Sequence, residues 1–377
     1  MPKKILFFIE SLEVGGAEKS LATLLNTCKF QDFSVDLMLL TPGAFLNEIP
    51  SHINVIVLKR LKASFLKRLK FYILKKINIG ELHSSQFFWK VFKNDFTMID
   101  KQYDIAIAYS QGFSTYFIAD KVKAQSKYSW VNIDYKKAGY NMKFDFSFYN
   151  RYNKVIAVSE DVKKGITQEL SNIGESFPVE VIKDITDINV VRKKALSQLK
   201  VNFDHKAINI VTVCRLEKQK GLFLAVESCA WLKEKKYPIK WYVIGEGSER
   251  KNLQQLIMKN KLHDSFFLLG ADSNPYPYME GCNIYVQTSL FEGLGLTVVE
   301  ASYLNKPIVC TNFPTAFDIL EDEKTGLIAK MNAADIASKV ERLILDKSFR
   351  LSLSNNLRKK ENRDHEVSIQ QIEQLLR

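Results

Sequence analysis

The sequence predicts an α/β protein of two domains, each built on an open parallel sheet with helices on both faces. The chain has 377 residues, which is more than one ordinary α/β domain needs. Short apolar runs that suit buried parallel strands alternate with stretches of helical spacing. This alternation starts again near residue 208, so the pattern favours two successive domains over one.

The first half opens with a strand, a glycine-bearing loop and a helix. Residues 5–9 are the apolar run, residues 11–16 the loop, and residues 17–28 the helix. Further buried strands of this half are predicted at 35–40, 55–58, 105–109, 128–131 and 155–158.

The second half repeats the pattern after a linker that we predict near residues 180–195, where periodicity is poor. The predicted domains are therefore 1–185 and 186–377, and the last helix is free to pack back on the first domain. A helix is expected at 221–236. The strands predicted in this half are 208–213, 241–244, 266–269, 284–287 and 308–310.

Charge and composition limit the possible partners. The net charge is +12, which predicts an anionic partner such as nucleic acid, anionic lipid or a phosphorylated substrate. The five cysteines are scattered without C-x-x-C spacing, so neither a zinc site nor a disulfide framework is expected. The chain has no apolar run of about 18 residues, the length that spans a bilayer. We therefore expect a cytoplasmic protein.

Residues 59–76 contain eight basic residues and no acidic one. Apolar residues recur every three or four positions, which predicts a basic amphipathic helix. Lys67, Arg68 and Lys70 are the residues that we expect at an anionic membrane surface. The alternative is a helix that lies on its domain with the basic face in water. The recurring apolar residues are Leu61, Phe65, Leu69, Tyr72, Ile73 and Ile77.

Ligands of doubly wound sheets bind beyond the carboxyl ends of the strands, so the loops there are the candidate sites. Gly15 and Gly16 follow the first strand and would let the backbone approach a phosphate at a helix start. A tight turn that binds nothing is the alternative. In the second half, Arg215 and Lys220 share one strand-to-helix loop and could both face a diphosphate. A solvated loop is the alternative there.

Residues 291–301 contain two carboxylates, Glu292 and Glu300, around a glycine loop and a helix that starts near Leu296. The unpaired amides of a helix start suit a diphosphate. Carboxylates can accept hydrogen bonds from the hydroxyls of a ribose or a sugar. The alternative is that Glu300 is a helix-surface acid and that Gly293 and Gly295 are a helix C-cap.

These motifs resemble those of the retaining family-4 glycosyltransferases, which have the GT-B fold of two Rossmann-like domains facing each other across a cleft. Five motifs occur in the family's order over most of the chain. They are similar to the N-terminal glycine loop, the end of the last N-domain strand, the R-L-x-x-x-K-G motif, the G-x-G turn and the E-x₇-E motif. In this chain these are Gly15-Gly16-Ala17-Glu18, Val158-Ser159-Glu160, Arg215 to Gly221, Ile244 to Gly247, and Glu292 to Glu300.

The resemblance implies a role for each site residue. Arg215 and Lys220 would hold the donor diphosphate and stabilise the leaving group in place of a metal. Glu300 would bind the ribose, and Glu292 would contact the donor sugar together with the backbone of Gly293, Leu294, Gly295 and Leu296. Gly16, beside Gly15, would lie against the diphosphate or the reacting sugar, and Gly245 would border the base. No cofactor is expected beyond a nucleotide-sugar co-substrate, with a UDP-sugar favoured.

Two departures from the family pattern stand out. Relatives often carry a His where this chain has Asn132, which can hydrogen-bond a sugar but cannot titrate. Asp134 is then the candidate for the missing catalytic role, or else a polar loop residue. Residues 182–187 replace the N-P-x-D sequence that relatives often carry, which puts the hinge geometry in doubt.

The expected function is transfer of a hexose-type sugar to a glycan, lipid-linked in many relatives, in bacterial surface polysaccharide synthesis at the inner face of the membrane. One alternative is a GT-B-fold binding or scaffold protein without activity, for which Asn132 is the support. The other is a nucleic-acid-binding protein, which only the net charge favours. We do not expect nucleic acid as a partner, because no known module is present.

Overall fold

The computed structural model describes residues 2–58, 64–77, 81–360 and 363–377. The chain divides into two compact units. The N-terminal unit comprises Met1–Ile185 and Arg363–Arg377, and the C-terminal unit comprises Thr186–Asn362. The N-terminal unit is therefore built from both ends of the chain.

Seven parallel strands form the sheet of the N-terminal unit. They are β1 Lys3–Ser11, β2 Phe33–Thr41, β3 Asn54–Val57, β4 Gln102–Ala108, β5 Lys123–Val131, β6 Lys154–Ala157 and β7 Val179–Val181. Their order across the sheet is β3-β2-β1-β4-β5-β6-β7, so the direction of winding reverses at β1. Residues 5–9 are each at most 1% exposed, as expected for a strand covered on both faces.

In the described part of the N-terminal unit, helices follow these strands or connect them. They are α1 Gly16–Thr27, α2 Phe65–Ile77, α3 Ser84–Phe92, α4 Phe113–Lys121, α5 Met142–Tyr149 and α6 Glu160–Asn172. The start of α6 explains the Val158-Ser159-Glu160 motif in structural terms. Ser159 is the N-cap, and its Oγ accepts a hydrogen bond of 3.2 Å from Val162 N.

Six parallel strands form the sheet of the C-terminal unit, in the order β10-β9-β8-β11-β12-β13. They are β8 Ile208–Val213, β9 Ile239–Ile244, β10 Phe266–Gly270, β11 Ile284–Gln287, β12 Ile308–Thr311 and β13 Leu327–Ala329. Here the direction of winding reverses at β8, because β9 and β10 lie on one side of it and β11 to β13 on the other.

The helices of the C-terminal unit are α7 Ile188–Ala195, α8 Leu222–Glu234, α9 Arg250–Lys259, α10 Tyr276–Gly281, α11 Leu296–Tyr303, α12 Ala316–Ile319, α13 Ala333–Leu345 and α14 Lys347–Lys359. The last helix, α15 Asp364–Leu376, belongs to the N-terminal unit. Gln371 Nε2 of this helix donates a hydrogen bond of 3.2 Å to Val181 O at the end of β7.

The boundary between the two units, Ile185 to Thr186, lies inside the linker predicted at 180–195, but that segment also holds the end of β7 and all of α7. The sequence analysis did not predict the strands β7 and β13. Both strands have three residues, too few to show a periodicity, and β7 carries the charged Glu180. Sheet pairing with β6 and with β12 specifies these strands, and such pairing is a tertiary effect.

Helix α2 exposes the apolar face that the sequence predicts. None of its residues is buried, and Phe65 and Leu66 are 77% and 75% exposed. Phe71 packs inward, with its ring centroid 5.9 Å from that of Phe88 on α3. Residues 59–63, where the predicted helix begins, lie outside the described residues. No helix in the described part of the chain is long and apolar enough to cross a bilayer.

A buried carboxylate ties together four segments of the N-terminal unit. Asp145 on α5 is 1% exposed. Its Oδ1 accepts hydrogen bonds of 2.6 Å from Gln86 Nε2 on α3 and 2.6 Å from Tyr116 OH on α4. Its Oδ2 accepts one from Tyr135 OH, which lies in the loop after β5. Burial raises the pKa of Asp145 to about 6, although the three donors oppose the shift.

We expect Asp145→Asn to change how stability depends on pH. Folding raises the pKa of Asp145 above its unfolded value, so the stability from its protonation is complete below pH 4 and is lost as the pH rises through 6. An asparagine keeps the Oδ1 acceptor, can donate to the Tyr135 hydroxyl, and does not ionise. Relative to wild type, the variant should gain on the order of 1 kcal/mol between pH 5 and pH 7.

Urea denaturation of both proteins at the two pH values measures this difference. A difference in unfolding free energy that is the same at pH 5 and pH 7 would contradict the role given to the buried carboxylate.

Candidate functional site

Two loops meet at the carboxyl edge of the C-terminal sheet. β8 and β11 pair directly, and residues 214–221 and 288–295 follow them. The strand order reverses between these two strands, and a crevice at such a point is the usual ligand position in an open α/β sheet. The loops carry Arg215, Lys220 and Glu292, which the sequence predicts as site residues.

Lys220 and Glu292 form an ion pair in this crevice. Lys220 Nζ lies 2.7 Å from Glu292 Oε1 and 2.8 Å from Oε2. The two side chains are 15% and 9% exposed. Poor access to water strengthens the attraction, and removal of one partner would leave a buried charge uncompensated. The sequence places these residues on different parts of a ligand, and the structure shows that they contact each other.

The two loops are joined at a position that only glycine fits. Gly221 has φ +58°, and a Cβ there would lie 2.2 Å from Thr288 O. Thr288 Oγ1 donates a hydrogen bond of 2.9 Å to Lys220 O. Leu290 N donates one of 2.8 Å to Gln219 O. The backbone beside Lys220 is thus fixed against the loop that carries Glu292.

The G-x-G turn after β9 packs on the loop that carries Arg215. A Cβ at Gly245 would lie 1.8 Å from Cys214 O, so a side chain there would displace this loop. Arg215 itself is exposed. Burial raises the pKa of the Cys214 thiol to about 12, which keeps it protonated and unreactive.

Glu300 lies on α11, the helix that starts at Leu296 as the sequence predicts. Its side chain is 1% exposed, and Tyr276 OH donates a hydrogen bond of 3.1 Å to its Oε1. A surface acid, the alternative reading of this residue, is therefore wrong. The structure brings Lys220 and Glu292 together and places Glu300 against α10. Ribose binding by Glu300 stays a prediction.

Two carboxyl groups, of Glu18 and Glu10, lie near the glycine loop of the N-terminal unit. A Cβ at Gly15 would lie 2.1 Å from Glu18 Oε2, so this carboxylate covers the start of α1 beside Gly16. Desolvation and the charge of Glu18 raise the pKa of Glu10 to about 7, although part of the Glu10 side chain stays exposed. Contact of Gly16 with a diphosphate or with the reacting sugar stays a prediction.

Asn132 joins this group through Asp184. Asn132 Nδ2 donates a hydrogen bond of 3.3 Å to Asp184 Oδ1, and Asn132 N donates one of 2.9 Å to Gln111 Oε1. Burial raises the pKa of Asp184 to about 7. Asp134 has a local contact: its Oδ1 accepts a hydrogen bond of 3.0 Å from Lys137 N, which stabilises a turn. A catalytic role for Asp134 stays a prediction.

The sequence analysis did not predict three residues that lie near the candidate site residues. Gln287 and Ser289 are buried beside Glu292, and Glu10 is the second-last residue of β1. A glutamine at the end of an otherwise apolar strand was the available signal for the first two. For Glu10 no sequence pattern distinguishes the carboxylate from an ordinary surface acid. In the described ranges no group of three or more His, Cys, Asp or Glu side chains is arranged to hold a metal ion.

The comparisons with known proteins agree with the fold and the motifs. The profile of the family called glycosyl transferases group 1 matches residues 194–360. An N-acetylgalactosamine-N,N'-diacetylbacillosaminyl-diphospho-undecaprenol 4-alpha-N-acetylgalactosaminyltransferase of Campylobacter jejuni is 27% identical over 94% of this chain and 93% of its own. The capsular polysaccharide biosynthesis glycosyltransferase CapM of Staphylococcus aureus is 30% identical over 55% of this chain and 56% of its own.

Among solved structures, Alr3699/HepE of Anabaena in complex with UDP-glucose superposes with a TM-score of 0.74. The two proteins are 19% identical, and the match covers 99% of each chain. Such a likeness bears on the fold, and it confirms the α/β GT-B class predicted from the sequence. The resemblance to glycosyltransferases is confirmed as well, and the family-4 assignment is compatible with these findings. A glycosyltransferase activity is therefore supported, and residues 194–360 of this chain are similar to the glycosyl transferases group 1 family.

Proposed function

We propose that this chain moves a hexose-type sugar from a nucleotide diphosphate sugar, with UDP favoured, to a lipid-linked glycan in bacterial surface polysaccharide synthesis. The observation that carries the proposal is the Lys220–Glu292 pair in the crevice between β8 and β11. An ammonium group suits a diphosphate, and a carboxylate beside it suits the hydroxyls of the attached sugar.

Two of the similar proteins support the finer part of this proposal. The name of the Campylobacter jejuni relative gives a diphospho-undecaprenol acceptor and an N-acetylgalactosaminyl group. The Anabaena structure was solved with UDP-glucose. We therefore propose a UDP-sugar as the donor and a lipid diphosphate-linked glycan as the acceptor.

The proposed reaction breaks the bond between the anomeric carbon and the diphosphate oxygen. The acceptor hydroxyl oxygen bonds the anomeric carbon, its proton leaves with the diphosphate, and the anomeric configuration is retained. Lys220 and Arg215 would stabilise the negative charge that develops on the diphosphate, which is the task a metal ion performs elsewhere. Metal independence follows from this proposal and can be tested by transfer in the presence of EDTA.

We expect Lys220→Ala and Glu300→Ala to abolish binding of the donor. The first removes the cation for the diphosphate, and the second removes the buried carboxylate proposed for the ribose. A thermal-shift screen against UDP-, GDP- and ADP-sugars measures binding, because a ligand that binds only the folded state raises the melting temperature. Lys218→Ala is the matched control, since Lys218 is an exposed lysine of the same loop.

Circular dichroism establishes that each variant is folded before the screen. Donor binding and sugar transfer at wild-type levels in both site variants would refute the assignment. Binding of a nucleotide sugar by the wild-type chain without transfer to any glycan acceptor would favour the alternative, a GT-B-fold binding or scaffold protein.

We also propose that α2 docks on an anionic membrane surface. An amphipathic helix of a soluble domain turns its apolar face to the core, whereas α2 exposes Phe65, Leu66 and Tyr72. Arg68 and Lys70 are exposed on the same helix, and Lys67 pairs with Asp95. Apolar side chains flanked by free basic groups are the composition of a helix that lies in the headgroup layer.

We expect Arg68→Gln/Lys70→Gln to weaken binding to vesicles that contain phosphatidylglycerol. Each basic residue near an anionic surface contributes about 1 kcal/mol, so the loss of two should lower the partition coefficient roughly 30-fold. Lys67→Gln should have less effect, because Lys67 already pairs with Asp95. Lys163→Gln/Lys164→Gln, two lysines of α6, is the control.

Vesicle sedimentation at low and at high salt provides the measurement. Equal sedimentation of the α2 double variant and the control would count against the membrane surface as a partner.

A further inference from the structure

A chain of buried hydrogen bonds runs from Tyr285 through Gln287 and Ser289 to Glu292. Tyr285 OH donates a hydrogen bond of 3.0 Å to Gln287 Oε1. Gln287 Nε2 donates one of 2.8 Å to Ser289 Oγ. Ser289 Oγ donates one of 2.6 Å to Glu292 Oε1. All four residues are buried, so water competes little for these bonds.

The two carboxylate oxygens of Glu292 have different surroundings. Oε1 accepts from Lys220 Nζ, from Ser289 Oγ and, at a longer 3.4 Å, from Gln287 Nε2. Oε2 accepts from Lys220 Nζ, its one donor among the described residues. If Lys220 moves toward another anion, Oε1 keeps its neutral donors and Oε2 becomes available.

We propose that Ser289 and Gln287 are positioning residues for Glu292. They hold its carboxylate in place while Lys220 exchanges this carboxylate for the donor diphosphate. Glu292 Oε2 is then available to accept a hydrogen bond from a hydroxyl of the donor sugar. This inference rests on the proposed function for the identity of the ligand. The hydrogen bonds that carry it lie within this chain.

The physical need for such residues follows from the ion pair. A carboxylate held by one lysine alone loses its orientation when a diphosphate, with more negative charge, attracts that lysine. Neutral donors are not attracted away, because Ser289 and Gln287 carry no charge and are anchored by the sheet. Thr311 Oγ1 on β12 donates to Ser289 O, which fixes the backbone of this residue as well.

A comparison of the affinity for UDP with the affinity for a UDP-sugar distinguishes this positioning role from a merely structural one. In Ser289→Ala and Gln287→Met, the affinity for UDP should stay within about twofold of wild type, because Lys220 is intact. The affinity for the UDP-sugar that stabilises the wild-type chain should fall roughly tenfold, the effect of losing a hydrogen bond to a charged group. Isothermal titration calorimetry with UDP and with that UDP-sugar gives both constants.

Ser228→Ala is the matched control. Ser228 on α8 is as buried as Ser289, and its Oγ donates to Leu224 O and Ala333 O. Ser228 is far from Glu292 in sequence, and its hydrogen-bond partners differ from those of Glu292. It should lower stability without changing the ratio of the two dissociation constants. A ratio that stays at the wild-type value in both positioning variants, or that changes equally in the control, overturns the proposal.

A second measurement needs no nucleotide and separates this proposal from the proposed function. Replacement of Lys220 removes its hydrogen bonds to Glu292, as movement of the lysine toward a diphosphate would. Ser289→Ala should therefore lower the free energy of unfolding more in a Lys220→Ala background than in wild type. Lys220→Gln serves if the alanine variant does not fold. Additive effects in this double-mutant cycle contradict the positioning role even if donors bind. Coupling without any nucleotide binding supports the positioning role and contradicts the proposed donor.

Discussion

The ion pair between Lys220 and Glu292 is the interaction around which the candidate site of the C-terminal unit is built. Its two partners are 72 positions apart in sequence and meet because β8 and β11 are neighbours in the sheet. A glycine with positive φ and two backbone-directed hydrogen bonds hold the loops together beside it. Opposite charges with little water between them attract each other strongly, and this pair is the feature on which the proposed diphosphate site rests.

The two units present different electrostatic surroundings at the carboxyl edges of their sheets. In the C-terminal unit the loop after β8 carries two cations, Arg215 and Lys220. In the N-terminal unit the residues near the glycine loop are acids, and the pKa values of Glu10 and Asp184 are raised to about 7. Cations suit a diphosphate, whereas carboxyl groups suit hydroxyls, and this difference supports the proposal that the donor diphosphate binds in the C-terminal unit.

Much of the fold was predictable because parallel strands that are covered on both faces are continuous apolar runs. β8 and β11 have the bounds that the sequence predicts, since each is a short apolar segment between polar loops. β7 and β13 were not predictable, because three residues show no period and only their sheet partners specify them. The apolar residues of α2 were predicted, but exposure to solvent depends on what packs against the helix.

The candidate site was predictable as a set of residues and not as a set of contacts. Sequence order places Lys220 and Glu292 at the same edge of a sheet, yet their direct pairing depends on side-chain conformations within that crevice. Gln287 and Ser289 were missed, because residues that orient a charged side chain through hydrogen bonds form no sequence motif of their own. The central claim is most directly tested by the structure of this chain with a bound nucleoside diphosphate. We expect Lys220 Nζ within hydrogen-bonding distance of a phosphate oxygen and Glu292 Oε1 still paired with Ser289. A diphosphate bound elsewhere, with the Lys220–Glu292 pair unchanged, would contradict it.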